Sequence, residues 1–374
     1  MIITHVITGL GNGGAEGVLY RLCETDIHNR HIIISLSGLG KYGALIKESN
    51  NEVYCLNMQP GRFNIRALFK LFMLFKKLNP DIIQTWMYHA DFFGGMVARF
   101  AGFNNIFWNI RHTSLLPEDS KKSTIFIAKL CARLSTIIPK QIICCAEEAK
   151  IVHINLGYEK RKMTVIANGY NISLYKPNEE LKFSLRNEFG FNSKTLVLGM
   201  VGRFHPQKNH LGLLEALSLV KKSFEDFKFL LIGRDLNYDN TILNHEIKKH
   251  NLDSNILLLN QRSDILAVMN ALDINVLSSS SGEGFPNVLA EAMACGTPCV
   301  TTNIGDAALI VDDTGWVSPP NDPIALANAI IEAIQERNRD ERLWILKKKN
   351  CRDRIVQNFS LDKMIKNYHL VWGI

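Results

Sequence analysis

Short β-branched or apolar runs, each followed by a loop and a helix-length pattern, recur along this chain and constrain its fold more than any other feature. Ile2 to Thr8, Ile32 to Leu36, Val53 to Leu56, Ile82 to Thr85, Ile106 to Ile110, Ile142 to Cys145 and Thr164 to Ala167 are predicted strands. Strands of this kind, alternating with helices, belong in a parallel sheet covered on both faces. The turn at Asn168-Gly169 and the polar stretch Pro177-Asn178-Glu179-Glu180 interrupt the pattern. It restarts with Thr195 to Val201, Phe229 to Ile232, Ile256 to Leu259, Ile274 to Leu277 and Pro298 to Thr302. The predicted architecture is therefore α/β, with two doubly wound parallel-sheet domains facing a cleft, 1–172 and 173–358, and a helix over 359–374 returning toward the first. Ligands of such sheets sit beyond the carboxyl ends of the strands, and every motif below falls at such an end.

A chain of 374 residues with 47% apolar content has the material for two cores. Apolar stretches such as Leu71 to Phe75 are far shorter than the roughly 18 residues of a membrane span. Met1 to Thr8 reads as a strand, without the pattern of a secretory signal, so a cytoplasmic location is expected. The eight cysteines form no C-x-x-C pair and read as buried thiols. Cys295 and Cys299 have no Cys or His partners nearby in the sequence, and no metal or other cofactor is expected.

The net charge of +7 is uneven: up to Lys176 there are 21 Lys and Arg against 12 Asp and Glu, and beyond it 22 against 24. The basic half is expected to meet something anionic. Segments Asn64 to Leu78 and Lys121 to Ile137 mix apolar residues with Arg66, Lys70, Lys76, Lys77, Lys121, Lys122, Lys129 and Arg133. They fit an anionic membrane surface, and equally ordinary core helices with solvated basic faces. Nucleic acid is not expected, because the basic residues alternate with apolar helix faces rather than exposed stacking aromatics.

Four motifs carry chemistry. In Ser281-Gly282-Glu283-Gly284-Phe285-Pro286-Asn287-Val288-Leu289, a strand ending in serines meets a glycine-flanked acid and then a helix opened by Pro286 and stopped by Gly296, with Glu291 about two turns in. Amides of its first turn, from Phe285 and Asn287 to Leu289, can hold a phosphate or a sugar at a partly positive helix end. The second motif is Val201-Gly202-Arg203-Phe204-His205-Pro206-Gln207-Lys208-Asn209, whose cations can stabilise a departing diphosphate. The third, Gly9 to Glu16 after the first strand, satisfies G-x-G-x-x-G, yet Ser35-Leu36-Ser37 offers no acid for a dinucleotide ribose. The fourth is Trp108-Asn109-Ile110-Arg111-His112-Thr113. Each also has a structural reading: Glu291 as a solvated helix residue, Glu283 as a loop carboxylate near a helix N-terminus, Arg203 and Lys208 as surface cations beside a turn, Glu16 as a helix-start acid, His112 as a structural histidine.

The stretch from Glu283 resembles the signature of family 4 retaining glycosyltransferases of the GT-B fold, which are built from two Rossmann-like domains, and Glu283 and Glu291 keep the spacing of its two glutamates. The second motif is similar to the family's G-R-x-x-x-x-K-N. The resemblance implies that Glu283 meets the donor sugar, Glu291 the nucleotide ribose, and Arg203 and Lys208 the donor diphosphate, with Gly202, Gly284, Phe285, Pro286, Asn287, Val288 and Leu289 around them. It also implies that His112 reaches the donor sugar, that Gly13 and Gly14 approach the donor phosphate or the acceptor, and that Leu259 to Asp264, with Arg262, lies near the nucleobase. Glu16 and Arg111 are acceptor-side candidates.

The implied enzyme is a metal-independent retaining transferase of bacterial surface-polysaccharide synthesis. It moves a hexose or N-acetylhexosamine from a nucleotide diphosphate-sugar, preferably a UDP-sugar, to a saccharide or lipid-diphosphate-linked acceptor at the inner face of the plasma membrane. A GT-B-like epimerase and a non-catalytic nucleotide- or polyanion-binding module are the alternatives. Two departures bear on loop shape: Ile232-Gly233-Arg234-Asp235 lacks a second glycine often seen there, and Asn171 stands where an aspartate is usual.

Overall fold

A computed structural model describes residues 1–59, 64–113, 115 and 121–374. The chain divides into two compact units, residues 1–169 with 361–374, and residues 170–360. Tyr170, Asn171 and Ile172, and likewise Phe359 and Ser360, fall within the second unit. There the Tyr170 amide donates to the Phe359 carbonyl at 2.9 Å, and Tyr170 bridges Ser360.

The first unit holds strands β1 (Ile2–Ile7), β2 (Arg30–Ser35), β3 (Glu52–Cys55), β4 (Ile82–Trp86), β5 (Ile106–Ile110), β6 (Gln141–Cys144) and β7 (Met163–Val165). They form one parallel sheet in the order β3-β2-β1-β4-β5-β6-β7. Alternate side chains feed opposite faces, as the strand period of two requires. Val6, Ile34, Ile83 and Trp108 pack with helices Ile65–Leu78, Tyr88–Phe100 and Lys122–Leu134. Ile3, Ile33, Ile82 and Phe107 pack with helices Gly14–Thr25 and Leu361–Trp372. The C-terminal helix is bound into this core by polar contacts as well as apolar ones: Trp372 Nε1 donates to Gln84 Oε1 at 2.9 Å, and Asn109 Nδ2 donates to the Tyr368 hydroxyl at 2.7 Å.

The second unit holds β8 (Val197–Val201), β9 (Lys228–Ile232), β10 (Ile256–Leu258), β11 (Ile274–Leu277), β12 (Cys299–Thr302) and β13 (Trp316–Ser318), in the order β10-β9-β8-β11-β12-β13, all parallel. β13 is the strand the apolar pattern missed. It is three residues long and lies at the sheet edge, so Val317 faces solvent and no continuous apolar run marks it. In each unit the strand order reverses once, between β1 and β4 and between β8 and β11. Loops leaving adjacent strands part in opposite directions there, which opens a crevice at the carboxyl ends.

Local chemistry set several boundaries more narrowly than the sequence pattern did. Asn64 is an N-cap, its side chain accepting from the Ala67 amide at 3.2 Å, so that helix spans Ile65–Leu78. The expected helix to Ile137 ends at Leu134, where Lys162 Nζ donates to the carbonyls of Ser135 at 3.2 Å and Pro139 at 2.8 Å and fixes the turn that follows. Seven cysteines are buried, but Cys55 is only partly so.

Candidate active site

In the second unit the loops after β8 and β11 leave the switch point side by side and are stitched together through their backbones. Ser278 Oγ donates to the Lys208 carbonyl at 2.8 Å, and the Ser280 amide donates to the Gln207 carbonyl at 2.8 Å. Lys208 ends a short 3-10 turn, Pro206–Lys208, and Asn209 then caps the helix His210–Ser223 through the Gly212 amide at 3.2 Å. This puts the Lys208 side chain over Gly202, where its ammonium pairs with the Glu283 carboxylate. Ser279 Oγ donates to the same carboxylate at 2.6 Å. The pair is nearly buried, with 15% of the lysine side chain and 10% of the glutamate side chain exposed. Two motifs 75 residues apart in sequence thus become one charged element.

Glu283 is held from behind as well. Gly305 takes φ +58, and a Cβ there would lie 2.3 Å from the Glu283 carbonyl oxygen, while the Asp306 amide donates to the Gly284 carbonyl at 2.8 Å. No side chain other than hydrogen fits that approach. Phe285 is buried against Tyr170 and Phe359, with ring centroids 6.3 and 5.3 Å away. The Tyr170 hydroxyl donates to Asn287 Oδ1. The helix is Asn287–Ala294, with Pro286 as N-cap rather than first helical residue. Glu291 is therefore its fifth residue, little more than one turn in and not two. The Leu289 amide, expected to face a ligand, donates to the Pro286 carbonyl at 3.1 Å. A short turn at the helix start consumes that donor.

A cavity of about 290 Å³ opens beside Gly202 at the ends of β8, β9 and β10, lined among others by Arg203, Gly233, Arg234, Gln261 and Arg262. Arg262 is at this cavity, but its guanidinium is already engaged. It donates to Glu188 at 2.7 and 3.0 Å and to Asp264 at 2.8 and 2.7 Å, and lies 5.8 Å from the Phe189 ring centroid. These two carboxylates raise its pKa further above the ordinary arginine value. It serves as a neutralised, planar wall. Asp235 takes φ +65, so the loop after β9 keeps a glycine-type conformation without the second glycine. Asn171 Oδ1 accepts from the Ser173 and Leu174 amides at 3.0 and 3.1 Å, as an aspartate would.

The first unit gathers its candidates at the ends of β1, β4, β5 and β7. Gly13 is the N-cap of Gly14–Thr25, and Glu16 folds back so that its carboxylate occupies the space beside Gly13. Glu16 stands at the capping-box position, which already supplies negative charge to this helix end. Arg111 pairs with Asn168 Oδ1 and stands over the Trp86 ring, 5.9 Å from its centroid, and its buried Nη1 finds no acceptor among the described residues. His112 is exposed and lies beside the Tyr88 ring, with centroids 6.4 Å apart. Beneath it, the Tyr88 hydroxyl donates to His153 Nε2 at 2.6 Å, and His153 Nδ1 donates to the Ala149 carbonyl at 2.6 Å. Burial, seconded by His112, lowers the His153 pKa to about 4, so the support is a neutral ring. Tyr88 and His153 carry no motif. Met87 before them takes φ +72, a strained value for a long side chain, at the switch point itself.

One cluster of metal-type side chains exists among the described residues: His5, Cys23 and His31, all buried. The Trp86 indole donates to His5 Nδ1 at 3.1 Å, which leaves the proton on His5 Nε2, directed at His31 Nδ1 2.9 Å away. His31 Nε2 then donates to Asp26, which His369 Nε2 also meets, at 2.7 Å. An indole donor can only be met by a lone pair. His5 Nε2 is thereby protonated and turned away from metal ligation, and the cluster is a hydrogen-bond relay tying the C-terminal helix to β1 and β2.

Each parallel-sheet unit thus gathers its candidates at a switch point, and the second sets a lysine–glutamate pair beside an arginine-lined cavity. The sequence profile of glycosyl transferases group 1 matches residues 182–349, and that of glycosyltransferase family 4 matches residues 12–174. The chain belongs to this family of glycosyltransferases. It is 28% identical over 307 residues, 81% of this chain and 77% of the other, to the UDP-Gal:α-D-GlcNAc-diphosphoundecaprenol α-1,3-galactosyltransferase of Escherichia coli. It is 26% identical over 322 residues, 82% and 81% of the two chains, to the N,N'-diacetylbacillosaminyl-diphospho-undecaprenol α-1,3-N-acetylgalactosaminyltransferase of Campylobacter jejuni. The crystal structure of Anabaena HepE in complex with UDP superposes with a TM-score of 0.86 at 22% identity, over 100% of both chains. Among the described residues no helix is long and apolar enough to cross a membrane.

Proposed function

We propose that this glycosyltransferase moves a hexose or N-acetylhexosamine, with retention of anomeric configuration and without a metal, from a UDP-sugar to a hydroxyl of a lipid-diphosphate-linked saccharide. The observation that carries this reading is the meeting of Lys208 and Glu283 beside Gly202. In this reading the Glu283 carboxylate accepts from sugar hydroxyls and the Lys208 ammonium meets the diphosphate of the donor. On donor binding the lysine exchanges part of its interaction with Glu283 for the phosphate, a swap between two anions that leaves no buried charge unpaired. Arg203 shares the developing charge of the leaving group. The E. coli and C. jejuni relatives act, by name, on undecaprenyl-diphosphate-linked sugars, and HepE binds UDP, which supports the donor and acceptor classes.

An anionic membrane surface is the proposed partner of the first unit. Residues 53–146 carry 12 Lys and Arg against 4 Asp and Glu. Helices Ile65–Leu78 and Lys122–Leu134 contain no acid, and both pack on helix Tyr88–Phe100. Ile65, Phe69 and Phe126 are more than 60% exposed, interspersed with exposed Arg66, Lys70, Lys122 and Lys129. Each such cation is worth about 1 kcal/mol near an anionic leaflet.

The test is transfer of labelled sugar from UDP-sugars to an undecaprenyl-diphosphate saccharide, with anomeric analysis of the product and an EDTA arm. An α-linked product from an α-donor, formed equally in EDTA, is expected. Inversion, strict metal dependence or donor hydrolysis alone would overturn it. For the membrane, flotation with phosphatidylglycerol vesicles is expected, and lost when Lys76, Lys77, Lys121 and Lys122 are changed to Gln; equal flotation of the variant would remove that part.

A further inference from the structure

We infer that Arg234 is a second diphosphate-binding arginine of the donor site, one that sets how tightly the nucleoside diphosphate is held. The inference rests on the reading of the second unit as the donor site. Its grounds lie in the cavity at the ends of β8, β9 and β10. Three arginines line it, with no carboxylate among its lining residues. Arg262 is neutralised by Glu188 and Asp264. Arg203 and Arg234 are exposed and have no ion pair among the described residues. Two uncompensated guanidinium groups therefore share a space of about 290 Å³, whose other walls include glycine and the aliphatic Val201, Ile232 and Ile265.

The backbone fixes where Arg234 leaves the sheet. Gly202 and Phe204 donate to the carbonyls of Ile232 at 2.8 Å and Arg234 at 2.9 Å, which extends the β8–β9 ladder past both strands. Gly233 donates to the Asn260 carbonyl at 2.8 Å and takes φ +152, and a Cβ there would lie 2.2 Å from the Gly202 carbonyl oxygen. Glycine at 233 thus lets the two loops touch, and Arg234 starts beside Gly202-Arg203 by necessity rather than by side-chain chance. The adjacent Asp235 makes no ion pair with it among the described residues, and the Asp235 backbone carbonyl accepts from Asn240 Nδ2 at 2.9 Å.

A guanidinium presents a planar fork that matches two phosphate oxygens, and a cationic cavity with two such forks suits two adjacent phosphoryl groups better than one. The ligand class is a nucleoside diphosphate, as donor portion and as product. Arg203 adjoins Lys208 through Gly202 and belongs with the reacting end. Arg234, on the next strand outward, holds the diphosphate without touching the reacting atoms. Its removal should therefore act on binding more than on the chemical step.

Titration calorimetry on the full chain with UDP, GDP, UMP and uridine at low and high NaCl tests this, with steady-state kinetics on a UDP-sugar alongside. Arg234→Ala is expected to weaken UDP about tenfold, to leave uridine unchanged, to flatten the salt dependence and to raise donor KM with kcat altered less than twofold. Arg234→Lys should recover part of the loss and Arg234→Gln none, a split that a merely structural role would not produce. Unchanged UDP affinity in Arg234→Ala, or equal losses for UDP and uridine, overturns the inference. If the wild-type chain binds neither UDP nor GDP, the donor-site reading falls first and takes this one with it. Should Arg234→Ala fail to fold, the Lys and Gln pair decides alone.

Discussion

The two units place their sites at the same topological position and build them in opposite ways. In the second, most of the charged side chains are already partnered, Lys208 with Glu283 and Arg262 with Glu188 and Asp264, and the two loops are joined through Ser278 and Ser280, while Arg203 and Arg234 alone among its cavity arginines make no ion pair among the described residues. In the first, the candidates are propped from below by neutral groups, with His112 over Tyr88 and Tyr88 on a neutral His153, while Arg111 keeps a donor without an acceptor among the described residues. On the proposed reading, the second site keeps Lys208 and Glu283 locked together before binding and leaves Arg203 and Arg234 for the phosphates, whereas the first keeps Arg111 open for an acceptor.

The sharpest way to break this comparison is to open the locked pair. Lys208→Ala and Glu283→Gln are each expected to lower turnover by more than a hundredfold and to cost about 3–5 kcal/mol of stability, since each strands a nearly buried partner. The Lys208→Met, Glu283→Leu double variant should regain stability but no activity, as read by thermal unfolding and transfer assays. Activity surviving in either single variant would dismantle the site. Gly305→Ala should cost roughly 1–3 kcal/mol by straining the loop behind Glu283, visible as a lower unfolding temperature and a raised donor KM. A neutral result would show the loop can retreat.

Acid offers an intermediate test. His153 in the first unit and His210 in the second both have pKa values lowered to about 4, by burial first and then by His112 and Lys208 respectively. Unfolded histidine titrates near 6.5, so the unfolded chain binds protons that the folded one refuses as the pH falls through 6.5 toward 4. Stability is complete above 6.5 and declines across that window, by roughly 3 kcal/mol per histidine. His153→Gln should flatten the decline in the first unit, and His210→Gln in the second, as followed by hydrogen exchange of each sheet. The smallest effect is expected for Arg111→Met, about tenfold in acceptor KM with donor KM unmoved. A change in donor KM instead would reassign it to the locked kind of site.

The difference between the units also explains what could be read beforehand. The second site was legible because its groups sit in two short runs, Gly202 to Lys208 and Glu283 to Glu291, whose spacing survives in linear sequence. The first site draws on β4, β5, β7 and the helix Glu147–Asn155, so Tyr88 and His153 had no local signal. Sequence patterning also displayed twelve of the thirteen strands found among the described residues, because a strand buried on both faces must be written in apolar residues; β13, at an edge, need not be.

By itself, then, the sequence determined the two parallel-sheet units, the positions of the glycines and acids in each motif, and the basic character of the first half, since these depend on period, residue type and charge alone. Only the tertiary structure decided which charges cancel. Arg262 and Arg234 look alike in sequence, yet folding brings two carboxylates to one and none of the described ones to the other. Glu283 and Lys208 likewise became partners only when β8 and β11 were laid side by side, because pairing of charges depends on distance in space and not along the chain.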